Sequence, residues 1–319
     1  MMKSIFLFPG QGAQYQGMAL DLLEAGTKVK ALFGMASDIL NQDMEKLLKE
    51  SDAETLMRTD VSQPVITLAN LSAAACLAEK GIEAFGCAGF SLGEYAALAA
   101  AGVIEEEDCF RLVGARGKIM QAVTDKLKEQ GGEAPGMAAV VGLEPSKVES
   151  LIAEWKQEKG NPLQNLFAAN FNSPRQTVIS GTAAALAEGA KRFEEAGARR
   201  VIPLKVAGPF HSPLMADAAE EFGSFLEGIK FNDPRIPLYS NVSGKQLDSG
   251  AEAKKLALSH ISSSLRWTDE EKNIQASGLF DTALEAGPGK VLQGLWRDSG
   301  TDIPCFCAGT AENINELKK

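Results

Sequence analysis

"AFGCAGFSLGEYAALAAAG", Ala84 to Gly102, is the stretch whose reading decides the fold. Ala84–Phe90 is small and apolar throughout, as suits a strand buried on both faces of a parallel sheet. Leu92 to about Ala101 is an alanine- and leucine-rich helix, with Gly102 as its C-terminal glycine. Between them stands Gly89-Phe90-Ser91-Leu92-Gly93, a Gly-x-Ser-x-Gly pattern. Where a strand turns sharply into a helix, the two glycines remove side chains that would collide, and the serine hydroxyl projects from the tip. The helix also aims its free N–H groups back at Ser91, where they could stabilise an oxyanion. The pattern arises by chance in many chains, and it is the strand before and the helix after that favour a nucleophile.

Working outward, Ser4–Phe8 ("SIFLF") is a short apolar run ended by Pro9-Gly10, a buried strand entering a loop. A helical region begins near Met18, a second spans about Pro64–Lys80, and a long one covers Glu105–Glu129 with an acidic first turn that suits the helix dipole. Strand and helix in alternation predict an α/β fold with a mostly parallel sheet. The loop Pro9–Gln14 ("PGQGAQ") lacks the Gly-Lys-Ser/Thr ending of a phosphate loop and the glycine spacing of a dinucleotide site. Its place after a central strand is where a second oxyanion donor would come from.

The pattern changes at 131–136, a connection with three glycines and a proline. After it come a strand (Met137–Gly142), a helix opened by Pro145-Ser146 and running to about Glu158, two strands (Leu166–Asn170 and Gln176–Ser180), a helix capped by Gly181-Thr182, and a strand (Arg200–Val206). This β-α-β-β-α-β order is the ferredoxin-like signature. It predicts an inserted subdomain over 131–203 within an α/β core formed by 1–130 and 204–319, the larger unit resuming near Ala207.

The chain has 319 residues, 45% of them hydrophobic, and a formal charge of −10, with a pI near 5.0. That length supports a sizeable core. The acidic balance argues against nucleic-acid binding. No apolar run reaches the roughly 18 residues that span a bilayer, and Pro9-Gly10 cuts the first apolar stretch too short for a signal segment. Five cysteines (Cys76, Cys87, Cys109, Cys305, Cys307) show neither zinc spacing nor an even count. These features predict a cytoplasmic protein with free thiols and no membrane association.

Ser91 needs a base, and the chain holds two histidines, His211 and His260. His211 follows an apolar strand that ends at Gly208-Pro209, and Ser212-Pro213 suits the cap and first turn of the next helix. A histidine on such a loop, later in the chain than the serine, fits hydrolase-like order, although an ordinary polar turn residue would look the same. His260 lies on the apolar stripe of a helix that ends before three serines, a place where histidine is commonly a core residue. At 100° per residue, Arg116 falls in the middle of the face formed by Cys109, Leu112, Val113, Met120, Val123 and Leu127. A guanidinium there needs an anion, which could be a protein carboxylate or a ligand, or it must snorkel to water.

Six blocks in order, "FPGQGAQ", "GFSLGEYAALAAAGVI", "RLVGARGKIMQ", "NFNSPRQTVISG", "GPFHSPLM" and "EAGPGKVLQGL", resemble the malonyl-CoA:acyl carrier protein transacylase family over nearly the whole chain. The resemblance implies an α/β-hydrolase-like core with a ferredoxin-like insert. It implies a ping-pong acyl transfer with malonyl-CoA and acyl carrier protein as partners, serving fatty acid synthesis, and with no metal or redox cofactor. It assigns Ser91 as nucleophile, His211 as base, the backbone N–H groups of Gln11 and Leu92 as the oxyanion hole, and Arg116 as the group that forks onto the malonyl carboxylate. Phe210 would crowd an α-branched acyl group, and Asn170 and Asn172 would line the cleft or simply satisfy loop backbone. His260 stands where the family usually has glutamine, at a position whose backbone carbonyl orients the catalytic histidine. Phe90 replaces the usual histidine before the nucleophile. A polyketide acyltransferase, a serine thioesterase and a non-catalytic carrier-binding scaffold are the competing readings. Lys191, Arg192, Arg199 and Arg200 are candidates for docking an acidic carrier protein, or a solvated surface.

Overall fold

The computed structural model describes residues 2–129, 134–158, 160–206 and 208–317. Two four-stranded sheets organise it. The first contains β1 (Ser4–Phe8), β2 (Gly86–Gly89), β7 (Thr282–Glu285) and β8 (Cys305–Cys307) in the order β2-β1-β7-β8, with every pairing parallel. The second contains β3 (Gly136–Val141), β4 (Leu166–Ser173), β5 (Gln176–Gly181) and β6 (Arg200–Pro203) in the order β4-β5-β3-β6, with every pairing antiparallel. The fold is therefore mixed α/β with separate parallel and antiparallel sheets.

Helices cover the parallel sheet because its strands are apolar on both faces; β1, β2 and β7 are buried along their whole length. The turn from β2 into the helix Gly93–Ala100 is as tight as its sequence predicts. A Cβ on Gly93 would run into the carbonyl oxygen of Phe8, so only glycine lets the helix start against β1. Glu106–Glu129 forms one long helix with the expected acidic first turn. In the second sheet the helices Pro145–Trp155 and Ala183–Glu195 flank the strands, and the Thr182 hydroxyl caps the latter by accepting from Ala185 N–H.

Several expectations shift. The helix read from Pro64 begins five residues earlier and runs over Thr59–Glu79, with Pro64 inside it at the cost of one i→i−4 hydrogen bond. This helix is also long and apolar enough to cross a membrane, contrary to the expectation from sequence, because alanine and leucine outweigh its scattered Thr, Ser and Asn. In the fold, 83% of its most apolar window is buried. The helical region from Met18 divides into Leu20–Ala25, Thr27–Leu40, Met44–Glu50 and Ala53–Met57. The last strand of the second sheet stops at Pro203, so no strand leads up to Gly208-Pro209. Ser212 does not cap a helix; its hydroxyl donates to the Pro209 carbonyl at 2.6 Å, closing the turn that carries His211. The glycine-rich connection at 131–133 and the resumption point at 207 lie outside the described residues.

Candidate active site

Ser91 sits on the turn between β2 and its helix with φ 52°, a left-handed conformation that an L-residue adopts only at a cost of roughly 1–2 kcal/mol. The strain aims its hydroxyl at His211, with Oγ 2.7 Å from Nε2. His211 is strained as well, at φ 56°, and its own N–H donates to the Ile261 carbonyl. On the other side of the ring, Nδ1 lies 3.1 Å from the carbonyl of His260 and 3.2 Å from that of Ser263. Carbonyls can only accept, so Nδ1 carries the proton and Nε2 presents its lone pair to the serine O–H. A backbone pair thus does the orienting that a carboxylate does in a Ser-His-Asp triad.

Burial, and then the charge of Arg116, push the pKa of His211 down to about 4; the two backbone acceptors counter this only in part. The imidazole is therefore neutral at physiological pH and ready to accept a proton.

Asn70 Nδ2 donates to the carbonyl of Pro9 and so fixes the loop that carries Gln11. This loop passes directly beside the serine turn: a Cβ on Gly10 would strike the carbonyl of Phe90 and lie 3.6 Å from Leu92 N. Among the described residues, neither the Gln11 nor the Leu92 backbone N–H donates to a protein acceptor. Free backbone donors on two adjoining turns are available to an anion or a polarised oxygen.

Arg116 is 1% exposed. One N–H of its Nη1 donates to Gln63 Oε1 at 2.9 Å, its carbon sits 5.4 Å from the centre of the Tyr95 ring, and Nε and Nη2 make no hydrogen bond. Of the alternatives left open in the sequence, burial speaks against a snorkelling side chain, and the carboxylate whose charge favours the guanidinium is the buried Glu94, which makes no ion pair with it among the described residues. A buried guanidinium with unused donors is costly until an anion meets it. The Tyr95 ring lies 6.0 Å from His260, and His260 lies 5.5 Å from His211, which connects the cation to the dyad.

Phe210 is buried in the same core as Met120 and Met215. Phe90 packs edge-to-face on Trp267, with ring centroids 5.5 Å apart. A cleft of about 660 Å³ reaches His211 between the sheets, lined by Ile152, Lys156 and Phe167 on one side and Val242, Ser263 and Arg266 on the other. Asn170 and Asn172 are not among its lining residues. Asn172 donates to Gln176 across the β4–β5 hairpin, and Asn170 is buried with its Oδ1 unpaired. A larger cavity of about 850 Å³, bordered by Lys28, Glu83 and Arg235, touches none of the serine site.

Sequence reasoning missed Gln63, Glu94, Asn241 and Glu270, all fully buried or nearly so. Glu94 was the readable signal: a carboxylate inside an otherwise apolar helix. Asn241 Oδ1 accepts the Ser91 N–H at 2.6 Å, and its Nδ2 donates to the Gly89 carbonyl at 2.6 Å and to Glu270 Oε2 at 2.7 Å. Burial raises Glu94 to about 7 and Glu270 well above the ordinary carboxyl range.

A family model described as acyl transferase domain matches residues 5–310, which carry both Ser91 and His211. The chain is 37% identical over 314 residues to the malonyl CoA-acyl carrier protein transacylase of Bacillus subtilis, covering 98% of this chain and 96% of that one. A crystal structure of an acyl carrier protein S-malonyltransferase from Vibrio cholerae superposes with a TM-score of 0.91 at 33% identity, over 99% of this chain and 100% of the other. A malonyl-transacylase in complex with its type II PKS acyl-carrier protein superposes at 0.89 and 32% identity, over 98% of both chains. The chain belongs to the malonyl-CoA:acyl carrier protein transacylase family.

Proposed function

We propose that this acyltransferase moves a malonyl group from malonyl-CoA to the phosphopantetheine thiol of an acyl carrier protein, by way of a malonyl ester on Ser91. In the first half-reaction Ser91 Oγ attacks the thioester carbonyl as its proton passes to His211 Nε2. Gln11 and Leu92 N–H groups hold the oxyanion. The C–S bond then breaks, and His211 returns the proton to the departing CoA sulfur. In the second, the carrier thiol gives its proton to His211, its sulfur attacks the ester carbonyl, and Ser91 leaves and is reprotonated. The observation that carries this reading is the buried Arg116, with unused donors, connected to a serine–histidine pair already in contact. A malonyl carboxylate supplies the missing anion. The steps call for no metal or redox cofactor.

The test is a transfer assay with and without carrier protein. Transfer predicts that CoA release stops near one equivalent until carrier protein is added; continuous release without it would make the protein a thioesterase. Supply of fatty acid synthesis is the preferred pathway, and the five free cysteines support a cytoplasmic location. The strand order β4-β5-β3-β6 supports the ferredoxin-like description of an insert over 131–203, and the parallel sheet supports a hydrolase-like core from 1–130 and 204–319.

Phe210 precedes the base and fills space an α-methyl branch would need. Phe210→Ser is expected to raise methylmalonyl-CoA use relative to malonyl-CoA by roughly tenfold, since one methyl group is worth about 1–3 kcal/mol in such a pocket. Competition between the two thioesters checks this, and an unchanged ratio would place the ring elsewhere.

The docking candidates divide. Arg192 is engaged by Glu158 and Glu188, and Lys191 lies near Glu188. Arg199 and Arg200 are exposed and have no carboxylate partner among the described residues. Reversing both to Glu is expected to raise the KM for carrier protein several-fold, an effect blunted by salt, while CoA release in the first half-reaction is unchanged.

A further inference from the structure

We propose that Asn241 is a positioning residue that holds Ser91 in its reactive left-handed conformation, by clamping the backbone on both sides of Phe90. This rests on Ser91 being the nucleophile.

The clamp follows from hydrogen-bond valence. An asparagine amide has two donor hydrogens and an oxygen that accepts twice. Here Oδ1 takes the Ser91 N–H at 2.6 Å and faces His260 Nε2 at 3.3 Å, while Nδ2 reaches the Gly89 carbonyl at 2.6 Å and Glu270 Oε2 at 2.7 Å. The Ser91 N–H can only donate and the Gly89 carbonyl can only accept, which fixes which end of the amide is oxygen. One side chain therefore bridges residues 89 and 91, whose backbone groups the sharp turn diverts from strand and helix alike. The amide is itself held: Asn241 N–H donates to Glu94 Oε2 at 2.8 Å, and its carbonyl accepts from Arg266 N–H at 2.8 Å.

The oxygen's second contact adds a link that a backbone-only role for His260 would not provide. His260 meets both members of the dyad, the base through its own carbonyl and the nucleophile through Asn241 Oδ1. For the ring to donate there, its proton is on Nε2, in agreement with a bare Nδ1 that has no partner. A glutamine at 260 carries an amide N–H that could serve Asn241 in the same way.

The replacement of choice is Asn241→Asp, which is isosteric. An ionised aspartate still accepts from Ser91 N–H but sets a second acceptor against the Gly89 carbonyl. A protonated one regains a donor for it. The titratable and charged groups around this position are Glu94, Glu270, His260 and, beyond them, His211 and Arg116. Burial and the neighbouring carboxyls hold the new acid's pKa up.

The test measures the rate of malonyl adduct formation by rapid-quench intact mass, at pH 6 and pH 8, for wild type, Asn241→Ala and Asn241→Asp. The wild-type rate should be equal at the two values. Asn241→Ala should acylate about 100-fold more slowly, reach the same final adduct, and keep its KM for malonyl-CoA within about threefold. Asn241→Asp should be at least fivefold faster at pH 6 than at pH 8. A pH response parallel to wild type in Asn241→Asp, or acylation by Asn241→Ala within threefold of wild type, overturns the proposal. Should Asn241→Ala fail to fold, the aspartate profile alone decides. Absence of any adduct in wild type would instead refute the malonyl-serine reading on which the proposal rests.

Discussion

His211→Ala is expected to lower the rate of Ser91 acylation by on the order of 10³–10⁴, the scale of a lost general base, with KM for malonyl-CoA little changed. Among the described residues, the side-chain hydrogen-bond partner of Ser91 Oγ is His211 Nε2. The same geometry dictates the pH profile of the wild-type enzyme. The base works when neutral, and burial with the charge of Arg116 lowers its pKa to about 4. Acylation should therefore be level from about pH 6 to 8 and fall as pH drops through the region of 4. In the proposed complex, a malonyl carboxylate on Arg116 would offset part of the charge that depresses the imidazole. The acid limb of kcat should accordingly lie above that of kcat/KM, and the two profiles measured side by side check this. A limb near 6.5 in both would show that the ring is solvated and outside the field of the arginine.

Arg116→Ala should reduce kcat/KM for malonyl-CoA by roughly 10²–10³, about 3–4 kcal/mol, as expected when one partner of a buried charge pair is removed. Acetyl-CoA has no carboxylate to lose, so its turnover should change by less than about tenfold. With the positive charge gone, the acid limb of the surviving acetyl transfer should also move upward, because the charge that lowers the His211 pKa is missing. Arg116→Lys should recover little, since an ammonium lacks the planar fork that matches a carboxylate. Equal losses with both acyl groups would reduce Arg116 to a packing role over Tyr95.

The parts of this site that local chemistry announces were legible in the sequence. Gly89 to Gly93 described its own turn, Arg116 stood out because helical periodicity put a cation on an apolar face, and the strand–helix order of 136–203 followed from turn residues and short apolar runs. What joins distant segments was not legible. Asn241 lies in "YSNVSG", which reads as an ordinary turn, yet it reaches 150 residues back to Ser91. Gln63 meets Arg116 from a separate helix, and neither its spacing nor its neighbours marks it. Ser212 shows the opposite failure: Ser-Pro before a helix suggests a cap, but the tight turn that orients His211 uses the hydroxyl first. The short strands β7 and β8 were not legible because runs of three or four residues leave no period to detect.

The central claim is a covalent malonyl group on Ser91. Intact mass after incubation with malonyl-CoA, followed by peptide mapping, tests it most directly. The account predicts one malonyl per chain on the peptide bearing Ser91, discharged on addition of holo-acyl carrier protein and absent from a folded Ser91→Ala variant. A malonyl adduct persisting in that variant, or transfer to carrier protein without any adduct in wild type, would contradict it.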